Sequence, residues 1–535
     1  MSLKNHFKKA PKLRPQLNVG SVFDIPNGRY YLGKHGESIC NGGVAYFTGV
    51  AGKGNTFKST LMHFLNLSIL NRYACSESNI YDTEMSLTVE RMYQLAQHMD
   101  YIAGVDLEAE ERMLITDSTA MMGEQWFDAL KEMGAERIHK DHIKSNTRTT
   151  PFLNHETGGF FTSIRPTVVE IDSLSMMTTS TVQSVFDKNE IGDSATNMSA
   201  MSDARIKTQM LNQLPAFTAA HGVYVMTSAH VGKQHVMDKY APPMKQLQFL
   251  KGDASFKNVP EKFSFLTNNL YYVHSAEILL NADKSGCEFP KDSDDKRKGD
   301  TDLQLLTVQN LRAKSGPTGM PIEVIVSQNE GVHMGLTEFN LIKSLNRFGL
   351  QGNMQNYQLE ILPHVALSRT TIRGKLDSDP VLRRAMEITA ELAYMYNMGY
   401  RTENTLEKPV ALNEEEELDR DLACTAKELY EDLKAKGYDW DVLLRTRGYW
   451  VFQEDEADRP PFLSTMDLLR MRAGLYHPYW LPPLEKMRTA TKTEAEAGTV
   501  SDKTISPADA AKMLKAKKDA GEALSKVMAK ATETA

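Results

Sequence analysis

Between about residues 42 and 326 the chain alternates short apolar runs with longer stretches whose apolar positions recur at helical spacing. That alternation is expected of a parallel sheet wrapped by helices. The runs at 44–48, 79–82, 113–116, 167–172, 223–227, 276–280, 303–310 and 322–326 are predicted strands. Most are nearly continuous in apolar residues, as strands buried on both faces are. Helices are expected at 59–71 and, with an amphipathic pattern, at about 202–219.

The stretch 138–165 is a long polar interruption between the third and fourth strands. Its Gly158-Gly159 pair suggests a hairpin inserted into the core. A helix is read at 337–348, closed by Gly349, and Asp379-Pro380 opens another that ends at Gly399. Beyond Gly349 the pattern becomes mainly helical. The acidic run 414–421 reads as a solvated face or loop, and the aromatic stretch 476–480 as a docking segment stopped by Pro482-Pro483. From about residue 489 the composition reduces to Ala, Lys, Glu, Thr, Ser and Asp, a tail with one helix starting at Ser506-Pro507. The division expected is 1–41, an amino-terminal oligomerisation or linker segment; 42–349, an α/β core; 350–487, a mostly helical domain; and 488–535, the tail.

Composition narrows the class only a little. The 535 residues carry a formal net charge of -7 and are 41% hydrophobic, an ordinary globular balance. No stretch is long and charge-free enough to cross a bilayer, so a soluble, cytoplasmic protein without a membrane partner is expected. Cys40, Cys75, Cys287 and Cys424 are scattered, which supports neither a disulfide framework nor a cysteine zinc site. Because the total charge is mildly acidic, any nucleic-acid surface has to come from local clustering.

The candidate chemistry starts after the first strand. A triphosphate needs several backbone N–H groups and a cation, which a glycine-containing loop between strand and helix supplies. Gly52-Lys53-Gly54-Asn55-Thr56-Phe57-Lys58-Ser59-Thr60 fits that loop, with Lys58 for the β- and γ-phosphates and Ser59 for Mg²⁺. Phe57 stands where the usual pattern has glycine, and an ordinary turn is the rival reading. The strand 167–172 ends in Asp172, a second candidate Mg²⁺ partner; capping a turn is its rival role. The second strand runs into Asp82-Thr83-Glu84. Glu84 is the candidate for polarising an attacking water, with Asp82 as the alternative. The fifth strand ends at His230, beside where a γ-phosphate would lie, so that His230 could sense hydrolysis.

After it come Lys233, Lys239, Lys245, Lys251, Lys257 and Lys262, interleaved with Tyr240, Phe249, Phe256, Phe263 and Phe265. Cations for phosphates and flat rings for bases suit single-stranded nucleic acid. A solvated loop anchored by its rings is the competing reading.

In this order of motifs the chain resembles the RecA recombinase family, most closely the phage UvsX type, whose phosphate loop likewise ends Phe-Lys-Ser. The resemblance covers roughly 42–349 and implies a RecA-like P-loop NTPase core. Tyr81-Asp-Thr-Glu84 is similar to the strand ending in the family's catalytic glutamate, and Gly123-Glu124-Gln125 after Asp117 to a segment near the nucleotide base. Glu190-Ile-Gly-Asp-Ser194, before a helix with Ala204-Arg205, resembles a first DNA-binding loop, and 231–269 takes the place of a second. His230 stands where the UvsX type has His. Arg312 and Lys314 fall near basic residues that reach a neighbouring subunit's ATP, and Phe7-Lys-Lys-Ala10 resembles the Phe-x-x-Ala hook of archaeal and eukaryotic recombinases. By resemblance the chain is a DNA-dependent ATPase using ATP and Mg²⁺, exchanging strands as a helical filament on single- and double-stranded DNA. Its setting would be recombination, repair and recombination-dependent replication, with single-strand-binding and mediator proteins as partners, in a host cytoplasm if it comes from a bacteriophage. The chain departs in its 138–165 insertion, its short amino-terminal region and its tail of mixed charge. A hexameric replicative helicase, which shares the core, and a RecA-like scaffold without turnover are the alternatives.

Overall fold

The computed structural model describes residues 13–189, 194–233, 247–250, 254–292, 300–397 and 422–484. By its contacts the chain divides into a large unit, Met1–Lys434 with Asp439–Trp480, and a small one, Ala435–Tyr438 with Leu481–Ala535. The described part of the small unit is a turn at Gly437 (φ 92°) and the stretch 481–484.

All eight predicted strands form. In chain order the large unit carries an amino-terminal hairpin, β1 (Arg29–Leu32) and β2 (Ser38–Asn41), then β3 (Phe47–Gly52), β4 (Glu77–Asp82) and β5 (Met113–Asp117). Next come β6 (Thr147–Asn154), β7 (Gly159–Ile164), β8 (Thr167–Asp172), β9 (Val223–Lys233), β10 (Ala254–Phe256) and β11 (Asn269–Ile278). The series ends with β12 (Leu303–Ala313), β13 (Pro321–Ser327), β14 (Gly331–Val332), β15 (Leu350–Asn353), β16 (Asn356–Leu359) and β17 (Leu362–Leu367). The central sheet has ten strands in the order β14-β13-β12-β11-β3-β9-β8-β4-β5, with β10 on β9. From β11 to β5 every pairing is parallel; β12 to β14 extend the sheet antiparallel. The fold is therefore α/β with a large, mainly parallel sheet flanked by helices.

The packing follows the apolar pattern. On one face Phe47, Val169, Val225 and Tyr81 meet Trp126, Phe127 and Leu130 of the Gly123–Arg137 helix and Met210, Leu211 and Leu214 of the Ser194–His221 helix. Leu67 and Leu70 of the Lys58–Arg72 helix join Ile80, Met92 and Leu95 in a second cluster. Each such fully buried side chain contributes about 1.5–3 kcal/mol relative to exposure.

Two expectations are corrected. The strand read at 276–280 begins earlier, at Asn269, because Leu270, Tyr271, Tyr272 and Val273 are its buried part, whereas Glu277 and Ile278 are exposed. The region after Gly349 opens with the β15–β17 meander before turning helical, and its long helix Pro380–Asn397 packs on the Met334–Ser344 and Ser21–Asn27 helices. The described residues of 350–434 and 439–480 belong to the large unit.

The insertion is the expected hairpin, β6 paired with β7 as a separate two-stranded sheet, with Gly158 at φ 70°. It packs on the chain itself. Phe152 is buried and meets the rings of Tyr31 and Trp450 edge-on at 5.7 and 5.2 Å. The Thr149 N–H donates to Glu454, and Gln453 donates to the Thr150 carbonyl. Trp450 is 1% exposed and Trp440 7%, so both serve the core.

Candidate active site

The register of the parallel strands brings the predicted residues to one edge. Gly52 pairs with His230, Asp82 with Asp172, and Asp82 on its other side with Asp117. The carboxyl ends of β3, β9, β8, β4 and β5 thus form a continuous rim, where ligands of open α/β sheets bind.

The loop that follows β3 is held by its own side chains. Thr56 Oγ1 donates to the Lys53 carbonyl at 2.9 Å, and Lys58 Nζ to the same carbonyl at 3.2 Å. A Cβ at position 52 would lie 2.7 Å from Thr56 Oγ1 and 3.0 Å from the Lys58 stem, so a larger residue there would displace the two side chains that hold the loop. Asn55 and Phe57 both adopt left-handed backbone, φ 56° and 60°. Glycine reaches that conformation freely, and another residue pays roughly 1–2 kcal/mol. Phe57 keeps the backbone shape that the expected glycine would supply.

At the start of the Lys58–Arg72 helix the N–H groups of Lys58, Ser59 and Thr60 have no acceptor among the described residues, the condition of an anion cradle. Lys58 is 7% exposed. Burial lowers its pKa from the ordinary lysine value, against the opposing pull of Asp172 and Glu84. The donor set fits a triphosphate with magnesium: free N–H groups, one ammonium, the Ser59 hydroxyl, and Asp172, whose Oδ1 accepts from Ser228 Oγ at 2.6 Å.

The structure separates the roles of Asp82 and Glu84. Asp82 is buried and accepts the N–H groups of Glu84, Ser86 and Leu87 at 2.7–2.9 Å, which ties down the turn after β4. Glu84 projects beyond that turn with its side chain 37% exposed. Its Oε1 lies 3.1 Å from His230 Nε2 and accepts from Ser173 Oγ at 3.3 Å. Ser173 is fixed in turn, its N–H on Thr83 Oγ1 at 2.6 Å and its carbonyl accepting from that hydroxyl at 2.9 Å. Thr83 and Ser173, which directly follow Asp82 and Asp172 in the sequence, build the site through this contact, a role that their adjacency alone did not assign.

His230 sits at the root of a two-stranded ribbon. Its N–H donates to Ser175 Oγ and its carbonyl accepts the Lys257 N–H, both at 2.9 Å, while β9 and β10 pair from Val231↔Phe256 to Lys233↔Ala254. Along the lysine-aromatic segment, Lys233 and Lys257 lie on this ribbon, with Lys257 Nζ on the Lys233 carbonyl. Lys262 reaches Asn212 Oδ1 at 3.0 Å. Phe256 meets the fully buried Phe263 edge-on at 5.7 Å, an anchoring contact, whereas Phe265 is 48% exposed. Lys239, Tyr240, Lys245, Lys251, most of the Glu190-to-Ser194 loop and the Phe7-to-Ala10 motif lie outside the described residues.

Other predicted residues stand apart from the Glu84–His230 contact, Asp117 at the β5 end of the rim and the rest away from it. Asp117 accepts from Thr119 and Ala120, bonds that hold its carboxyl below the usual range. Glu124 accepts from Ser180, and Gln125 closes its own helix start at the Met122 N–H. Arg312 pairs with Leu270 in the register of β11 and β12, and Leu270 in turn with Gly49 in the first half of β3. Its Nε donates to the Thr267 carbonyl, and the Lys314 N–H to that of Asn268. Both basic residues therefore stand short of the Gly52 end of β3, where the loop begins.

No helix among the described residues is long and apolar enough to cross a membrane. No protein-family model matches the chain, and no curated protein matches it.

Proposed function

We propose that the chain is a RecA-like, DNA-dependent ATPase that exchanges DNA strands as a filament. The observation that carries this reading is the Glu84–His230 contact, which joins the rim beside the Gly52–Lys58 loop to the root of the lysine-bearing ribbon. Bound ATP would supply the phosphoryl group for transfer to water. Gly52, Gly54, Asn55, Thr56 and Phe57 shape the loop that receives its phosphates, and Lys58 neutralises their charge. Ser59 and Asp172 hold magnesium, and Glu84 orients a water and takes up its proton.

His230 reads the state of Glu84 and passes it through the β9–β10 ribbon to the segment carrying Lys233, Lys239, Lys245, Lys251, Lys257 and Lys262. A contact that exists in one state and not the other is how a hydrolysis site biases a neighbouring element. On this reading Arg312 and Lys314 would serve the site of an adjoining copy.

Electron microscopy with single-stranded DNA, Mg²⁺ and a non-hydrolysable ATP analogue tests the reading. Helical filaments are expected; closed rings would favour a hexameric helicase. Lys58→Ala should abolish DNA-stimulated phosphate release, and a wild-type chain without such release would be a scaffold.

A further inference from the structure

Away from the carboxyl rim, three metal-binding side chains meet from distant parts of the sequence. His98 follows the Val89–Leu95 helix, Glu330 lies in the turn between β13 and β14, and Asp377 sits on the Ile372–Ser378 helix. One donor atom from each lies within 4.8 Å of the other two. We propose that His98, Glu330 and Asp377 bind a divalent transition-metal ion that ties these three segments together.

The cluster is an ion-pair network centred on Glu330, with one unpartnered ring nitrogen at its edge. His98 Nε2 is buried and has no hydrogen-bond partner, although the ring is 32% exposed overall. Its nearest carboxylate oxygen, Glu330 Oε2, is 3.6 Å away. That is too long for a hydrogen bond. It is close to the separation of about 3.3 Å between two ligand atoms of a tetrahedral ion with bonds of about 2.0 Å.

The surroundings hold both carboxylates. His333 Nε2 donates to Glu330 Oε2 at 2.9 Å, and its Nδ1 is 3.7 Å from Asp377 Oδ1. Arg373 grips Glu330 at 2.6 Å and Asp302 at 2.9 Å. Such outer partners orient ligating groups in metal sites. Lys291 also touches Glu330, but its side chain is 59% exposed, so it can swing into solvent when a cation enters. One imidazole with two carboxylates suits zinc, cobalt or manganese better than magnesium, which prefers oxygen alone. None of these residues belongs to the carboxyl rim, so the site stands or falls independently of the ATPase reading.

The test uses the full chain stripped with a chelator, gel-filtered and titrated with Zn²⁺ alone, then with Co²⁺ alone. Metal analysis should find about one retained ion per chain, and the melting temperature should rise with added Zn²⁺ as binding to the folded state requires. The Co²⁺ form should show visible absorption of a low-coordinate centre. His98→Gln, which removes a partly exposed ring without leaving a buried charge, should weaken binding by at least about tenfold and remove the thermal shift. Should that variant fail to fold, Asp377→Asn is to give the same loss. A wild-type chain that retains no metal, or binds it as well as a folded variant does, overturns the proposal.

Discussion

Asp82 and Glu84 are two residues apart on one strand end, and their surroundings assign them different work. Asp82 spends its oxygens on three N–H groups of its own turn, so it shapes the backbone. Glu84 is left to face His230 and Ser173. Substituting each with its amide should separate these roles. Under the proposed function, Glu84→Gln keeps shape and folding but cannot accept a proton, so steady-state ATPase should fall about 10²–10⁴-fold with little change in KM. Asp82→Asn weakens the turn and should cost about 1–3 kcal/mol in a denaturant melt. Equal losses of turnover, with equal stability, would show that the two carboxylates share one role.

Among the elements, a buried polar clamp joins the Lys58–Arg72 helix to β8 behind the rim. Glu170, fully buried, takes His63 Nδ1 at 2.5 Å and Asn66 Nδ2 at 2.7 Å. Burial opposes a charged His63, yet the charge and hydrogen bond of Glu170 outweigh it and raise the histidine's pKa. A raised folded pKa means that the stabilisation is complete below the unfolded value of about 6.5 and is lost as pH rises through the folded one. Glu170→Gln leaves His63 without its counter-charge and should cost about 3–5 kcal/mol at pH 6, less at higher pH. Denaturant melts across that range check both the loss and its slope. This clamp was not legible in the sequence, because His63 and Glu170 are 107 residues apart and each lies in an otherwise apolar element. The parallel strands were legible, since burial on both faces makes them continuous apolar runs, and Gly158-Gly159 marked the insertion's turn. The β1–β2 hairpin and the β15–β17 meander escaped because they are short, and much of the latter is exposed. At the rim, the residue types Lys58, Glu84, Asp172 and His230 could be read, but the division of labour between Asp82 and Glu84 needed the turn's geometry.

At the scale of the whole molecule, buried carboxyls collect where the Pro380–Asn397 helix joins the core. Burial, then Glu387, raises the Glu391 pKa to about 8, and burial, with Glu387 and Glu391, pushes Glu338 well up. Both are held neutral in the fold but ionise in the unfolded chain above their ordinary range. Their contribution is full at low pH and declines as pH rises through the folded value near 8. Thermal melts should therefore show a falling midpoint between pH 5 and 8, and Glu391→Gln, neutral throughout, should flatten that fall.

Assembly sets the other large-scale constraint. Along the sheet Arg312 is level with Gly49, short of the Gly52 end where the phosphate-binding candidate begins, and its Nε is held by the Thr267 carbonyl of its own chain. A head-to-tail arrangement, which generates rings or filaments, would bring them together between copies under the proposed function. Under the proposed function, Lys58→Ala and Arg312→Ala chains are each inactive alone. Mixed, they form some contacts in which an intact Lys58 faces an intact Arg312. Random mixing in equal amounts should restore about a quarter of wild-type ATPase, because half the copies supply each member of the pair. Activity restored on mixing would place the pair in trans. Substantial activity of Arg312→Ala alone would remove Arg312 from the site, and no recovery on mixing would argue against a shared site between neighbours.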